Sequence, residues 1–179
     1  MLSILLQVCG GWVYGHFFEY AVHRWALHGP GRRKGKLLSF HFTKHHKNAR
    51  LNQFEDHDYD HPFEWGNGAN KELVSLALIA CLHVPLVFYL PWFFGMTMFS
   101  LCSYYYHHRK SHKNPMWARI KIPWHWDHHM GKNQNLNFGI RSNFFDKLLG
   151  THEDYAAEGK AQLESLLRLR AKLHRRRNK

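Results

Sequence analysis

Apolar and polar residues along this chain fall into long blocks, with no sustained short period of helix or strand. Residues 1–22, MLSILLQVCGGWVYGHFFEYAV, are mostly apolar, and about 22 such residues match one bilayer crossing. A cleavable leader would begin with basic residues and end at a small-residue site. This segment has neither and reads as a retained anchor. Its Gly10-Gly11 pair either loosens the helix or allows close packing of a second one.

The second apolar block runs from residue 73 to residue 106. It fits either one overlong helix or a hairpin broken at Leu90-Pro91, where proline removes a backbone donor and crowds the preceding turn. Each arm of a hairpin would hold about 15–18 residues, roughly 23–27 Å of helix. A hairpin returns the chain to the side on which it started; a single helix separates residues before 73 from those after 106. Basic residues flank both blocks, which favours the hairpin. The expected fold is an all-α integral membrane protein with three apolar helical segments, one span plus a hairpin, and a histidine-rich helical cap on the cytosolic side. Residues 1–179 form a single domain of this kind.

The rest is polar. Residues 52–64, NQFEDHDYDHPFE, carry five of the 13 acidic residues and read as a surface loop. Residues 155–179 form a basic tail with Leu163, Leu166, Leu167 and Leu173 at near-helical spacing. That pattern suits an amphipathic helix on an anionic membrane face, or equally a solvated terminal helix.

Composition alters this picture in one respect. Lys and Arg number 25 against 13 Asp and Glu, a balance that invites a nucleic-acid partner. The placement of the charges argues against nucleic acid: residues 73–108 contain no charged Asp, Glu, Lys or Arg, and residues 1–23 contain only Glu19. Cys9, Cys81 and Cys102 lie in apolar stretches without ligand-like spacing and read as free thiols.

Histidine carries the candidate chemistry. Metal coordination needs neutral imidazoles brought to one point, and a helix does this with residues three or four apart. His108 and His112 are so spaced, as are His125, His128 and His129, and His41 with His45, which His46 follows. His23 and His28 are five apart, some 140° around an ideal helix, so they converge only where the helix bends or ends. These ten imidazoles suit two ions with five nitrogen ligands each and a position left for a small molecule. Iron, zinc and copper all accept such ligands. His16, His83, His152 and His174 stand alone, His57 and His61 lie in the acidic loop, and His107 competes with His108 for a place in the set.

The order of these clusters resembles the fatty acid hydroxylase superfamily of fatty acid 2-hydroxylases, sterol desaturases and carotene hydroxylases. EYAVHRWALH is similar to the opening of the 2-hydroxylases, and HHRKSH with HWDHHMGKNQNLNFGIRSNFFDKLLGT to their closing stretch. The second cluster, His41 to His45-His46, has three intervening residues where the 2-hydroxylases usually have two. The resemblance implies two iron ions, replaceable by zinc on purification, and the oxygen-dependent hydroxylation of a lipid. Desaturation on the same site is the alternative, and a membrane metal transporter is the rival outside enzymology. Glu19, one turn before His23, is expected either to accept that ring's second N–H or to stand as a carboxylate at the membrane interface, while Asn137 and Asp146 are expected to support ligands or cap helices. No dinucleotide fingerprint or iron–sulfur cysteine set is present. The two electrons per turnover are therefore expected from a separate ferredoxin or haem protein. The metal site is expected on the cytoplasmic side of a bacterial inner membrane or the endoplasmic reticulum, and the short chain suits an oligomer that completes the lipid tunnel.

Overall fold

The computed structural model describes residues 1–36 and 38–155. The amphipathic helix expected in the tail lies outside the described residues. All regular structure among them is helical. Helix α1 (Leu2–Ala21) runs directly into a π-helical turn, Val22–Leu27, and the chain then makes a short 3-10 turn at Pro30–Arg32. A second π-helical turn, His41–His46, leads into α2 (Lys47–Leu51). Then come α3 (Gly68–His83), α4 (Leu86–Tyr89), α5 (Pro91–Lys113), α6 (Pro115–Lys121), α7 (Pro123–Met130) and α8 (Phe144–Leu148).

Proline sets three of these boundaries. Pro91, Pro115 and Pro123 occupy the first turns of α5, α6 and α7, where a missing N–H costs nothing. The expected break at Leu90-Pro91 is therefore present, with α4 as a single turn between the arms. Glu72, in the first turns of α3, bonds His108 near the end of α5 at 2.6 Å. The arms are thus antiparallel, and the histidines before 73 and after 106 share one end of the molecule.

Helix α1 packs lengthwise on α5. A Cβ on Gly11 would meet the Met96 Cβ at 2.8 Å and the Phe93 carbonyl oxygen at 2.9 Å. One turn on, a Cβ on Gly15 would meet the Ser100 Cβ at 2.6 Å. Only glycine permits this spacing of the two backbones.

The buried apolar core is small and lies beneath the histidines: Phe54, Ala118, Ile122, Trp126, Met130, Ile140 and Tyr155. The opposite end of the helices is apolar outside as well. Leu5, Leu6, Leu78, Leu82, Phe88 and Trp92 are each at least half exposed.

Two expectations need correction. No helix among the described residues is long and apolar enough to cross a membrane. Helix α3 has 16 residues, α5 spends its last turns on histidine and lysine, and α1 is diluted by Gln7, glycines and His16. Residues 52–64 are also more than a surface loop, since Phe54, Asp56 and Tyr59 are buried against the histidines. They alternate with Glu55, His57 and Asp60, which are exposed.

Candidate metal centre

All ten candidate histidines are at least nine-tenths buried. Nine fall into two sets. His23, His28, His41, His46 and His128 form one and His45, His108, His112 and His129 the other, with the ligating atoms of each set within 4.8 Å of one another. His125 lies outside both sets, its Nε2 3.2 Å from the His112 Nε2.

The two π-helical turns explain how the first set forms. A π-helical turn bonds i to i+5, so residues five apart share a face. The His28 N–H donates to the His23 carbonyl at 3.0 Å, which brings both rings to the same side despite their awkward spacing on an α-helix. His41 and His46 bracket the second such turn in the same way. The second set instead uses the α-helical pair His108 and His112 on α5. The adjacent residues His45-His46 and His128-His129 each divide, one ring to each set.

Proton placement is built into the surroundings. His23 Nδ1–H donates to the Phe138 carbonyl at 2.5 Å, and His128 Nδ1–H to the Leu136 carbonyl at 2.6 Å. His112 Nδ1–H donates to the Phe54 carbonyl at 2.8 Å. His45 Nδ1–H donates to Asp56 at 2.8 Å and His108 Nδ1–H to Glu72 at 2.6 Å. Each bond leaves the Nε2 lone pair facing the centre of its set, as a ligand requires. In the first set these Nε2 atoms crowd together: His23 and His41 at 3.0 Å, His28 and His46 at 3.1 Å, His128 and His46 at 3.2 Å.

Burial, reinforced by the neighbouring imidazoles, holds His41, His46, His125 and His129 well below the usual histidine range. His23, His112 and His128 are lowered in the same way, each against the upward pull of its carbonyl bond. His28 is lowered to about 4, mainly by burial. These rings are neutral, and so able to bind metal, at neutral pH. Burial opposes ionisation of Asp56, yet its hydrogen bond from His45 keeps the carboxyl below its ordinary range.

A divalent ion fits these donors. His45 Nε2, His108 Nε2 and both nitrogens of His129 are buried with no hydrogen-bond partner among the described residues. A buried polar atom without a partner is costly, and one nitrogen from each of these three rings is a lone pair that an ion would take up.

The residues expected to support the ligands act differently. Glu19 does not serve His23. Its carboxylate accepts from the Ile140 and Arg141 backbone N–H groups at 2.6 and 3.0 Å and from the Arg141 side chain at 2.6 Å. Asp146 accepts from the Phe138 and Gly139 N–H groups at 2.8 and 2.7 Å, and burial raises its carboxyl above the ordinary range. Both carboxylates thus fix the backbone strip that offers its carbonyl to His23. Asn137 holds a left-handed backbone position, φ 57°, and bonds Glu153 and His152. His57 is exposed beside Asp60, and His107 bonds its own helix at Ser103. The residues that do serve His45 and His108, namely Asp56, Glu72 and Tyr59, carried weak signals. Asp56 and Tyr59 sit in the acidic run, and Glu72 is the lone acid before the apolar block.

An apolar cavity of about 290 Å³ lies between α1, α3 and α5. Phe18, Leu76, Ile79 and Leu101 are among its walls, and His23, His41, His45 and His108 line it as well.

No curated protein and no solved structure matches the chain. The family model for fatty acid hydroxylases matches residues 8–151, from the middle of α1 to the Thr151 that bonds Asp146. That stretch holds every histidine of both sets and the carboxylates that position them, so the chain belongs to the fatty acid hydroxylase family, whose chemistry is iron-dependent oxidation.

Proposed function

We propose that this protein is a membrane-bound, non-haem di-iron oxygenase that hydroxylates a lipid chain with dioxygen and two electrons from outside. The observation that carries the proposal is the cavity, whose walls are apolar and whose lining includes histidines of both sets. A lipid chain held there lies against the ligands without meeting water.

His23, His28, His41, His46 and His128 would hold one iron, and His45, His108, His112 and His129 the other, with His125 beside the second. The irons, when bound, supply the activation of dioxygen and the oxidation of an unactivated C–H bond. The protein orients the rings through the Phe138, Leu136 and Phe54 carbonyls and through Asp56 and Glu72. Tyr59 donates to Glu72 at 2.5 Å, and burial, with the Glu72 charge next, keeps that phenol protonated. The apolar walls exclude water from the reacting carbon.

The exposed apolar ends of α1, α3, α4 and α5 support seating in a bilayer, with the histidine end in the cytoplasm. The basic residues of that end suit an acidic ferredoxin or haem protein as electron donor. The test is lipid mass spectrometry of cells with and without the protein, joined to metal analysis of purified material. A lipid gaining one oxygen atom, with about two irons per chain, is the expected result. Loss of two hydrogens would mark desaturation on the same site, and metal-dependent uptake by vesicles without lipid change would mark transport.

A further inference from the structure

Two hydrogen-bonding atoms in the cavity wall, the Arg141 Nη2 and the Ser100 Oγ, are left over from the network that holds the metal ligands. Arg141 bonds Glu19 through Nε at 2.6 Å, and its side chain is only 6% exposed. Its Nη2 nevertheless has no hydrogen-bond partner among the described residues. Ser100, 3% exposed on α5, likewise has an Oγ without one. Both residues line the apolar cavity. They face the same point on α1: a Cβ on Gly15 would lie 2.6 Å from the Ser100 Cβ and 3.6 Å from the Arg141 Nη2.

We infer that Arg141 and Ser100 form the polar anchor of the substrate site and that they recognise an uncharged oxygen acceptor, such as an ester or amide carbonyl or a hydroxyl. This rests on the lipid-oxidising reading of the cavity. Glu19 already neutralises Arg141, so a carboxylate would bring an unbalanced charge into an apolar space. A pure hydrocarbon would leave both donors unpaired. A neutral oxygen accepts from Nη2–H and Oγ–H together and adds no charge.

The anchor also sets where the chain is presented. Gly15 and Ser100 each precede a ligand, His23 and His108, by eight residues, about 12 Å along a helix. The polar group is thus held away from the imidazoles and the alkyl chain is delivered to them.

The test measures binding to full-length, metal-loaded protein in detergent, by competition against a radiolabelled methyl ester. The competitors share one chain length: alkane, alcohol, methyl ester, primary amide and free acid at pH 8. The oxygenated neutral ligands should bind about tenfold tighter than the alkane. Ser100→Ala should remove most of that preference and leave alkane binding unchanged. Arg141→Lys, which keeps the charge but loses the second guanidinium nitrogen, should weaken the ester and amide in the same direction. Equal binding of ester and alkane, equal losses for every ligand in Ser100→Ala, or tightest binding of the acid would overturn the anchor. Selective binding with no lipid oxidation in cells would sustain the anchor and remove the oxygenase; oxidation without selectivity would do the reverse.

Discussion

An imidazole offers a metal its lone pair only when the other nitrogen holds the proton, and here neighbours decide which nitrogen that is. Carbonyls fix His23 and His128 in the first set, whereas carboxylates fix His45 and His108 in the second. A carboxylate partner raises ligand basicity more than a carbonyl does, so His45 and His108 are stronger donors than His112, which the Phe54 carbonyl holds in the same set. Replacing His128 by Ala should lower bound metal by about one ion and abolish lipid oxidation, as read by elemental analysis and product assay. His57→Ala, outside the sets and exposed, should leave metal content intact; loss of an ion there would show that the ligands are misassigned. At this scale the sequence was informative where spacing follows the α-helix, as for His108 and His112. It was ambiguous for His23 and His28, because nothing in HRWALH announces a π-helical turn. Glu19 was misassigned for a related reason: helical spacing brings it near His23, but two backbone N–H groups and Arg141 compete better for its oxygens.

Among the elements, the α1–α5 contact does most to place the two ends of the site. Gly11→Ala would push its new methyl into the Met96 Cβ and the Phe93 carbonyl, atoms of a helix that cannot yield locally. A cost of about 1–3 kcal/mol is expected from such overpacking, measurable as a lower unfolding midpoint. Gly95→Ala, on the same helix pair with nothing within 4 Å of the added Cβ, should be neutral or slightly stabilising. Equal losses from both would mean that close approach is not what α1 requires. The hairpin was legible because proline acts on the backbone itself at Leu90-Pro91. The burial of the 52–64 segment was not, since Phe54, Asp56 and Tyr59 turn inward singly and leave no periodic trace.

On the scale of the whole molecule, one end is an apolar mantle and the other encloses a cluster of neutral bases. Burying these rings lowers their affinity for protons, and the sign of the resulting pH dependence follows. His28 binds its proton near 6.5 when unfolded and near 4 when folded, so below 6.5 the unfolded chain holds protons that the native chain does not. Its share of stability is complete above 6.5 and is lost as pH falls towards about 4, with the other lowered rings acting in the same direction. Metal-free protein should show a level unfolding midpoint above pH 7 and a steep fall between 6.5 and 4, followed by circular dichroism. A flat profile through that window would refute neutral burial of the cluster. The distribution of charge revealed the two-ended layout, but full spans did not follow from it. The apolar blocks owe part of their length to residues such as Tyr14, Gly15, Tyr104 and His108 that line the cavity.

The doublets His45-His46 and His128-His129 give one ring to each side from neighbouring positions on the chain. A rigid peptide plane joins the two members of each pair, so the two halves of the site share a hinge at two separate points. Any shift of either doublet's backbone moves a donor on both sides at once. A change in that backbone is therefore felt by both halves, whereas the loss of one ring's side chain is felt by one.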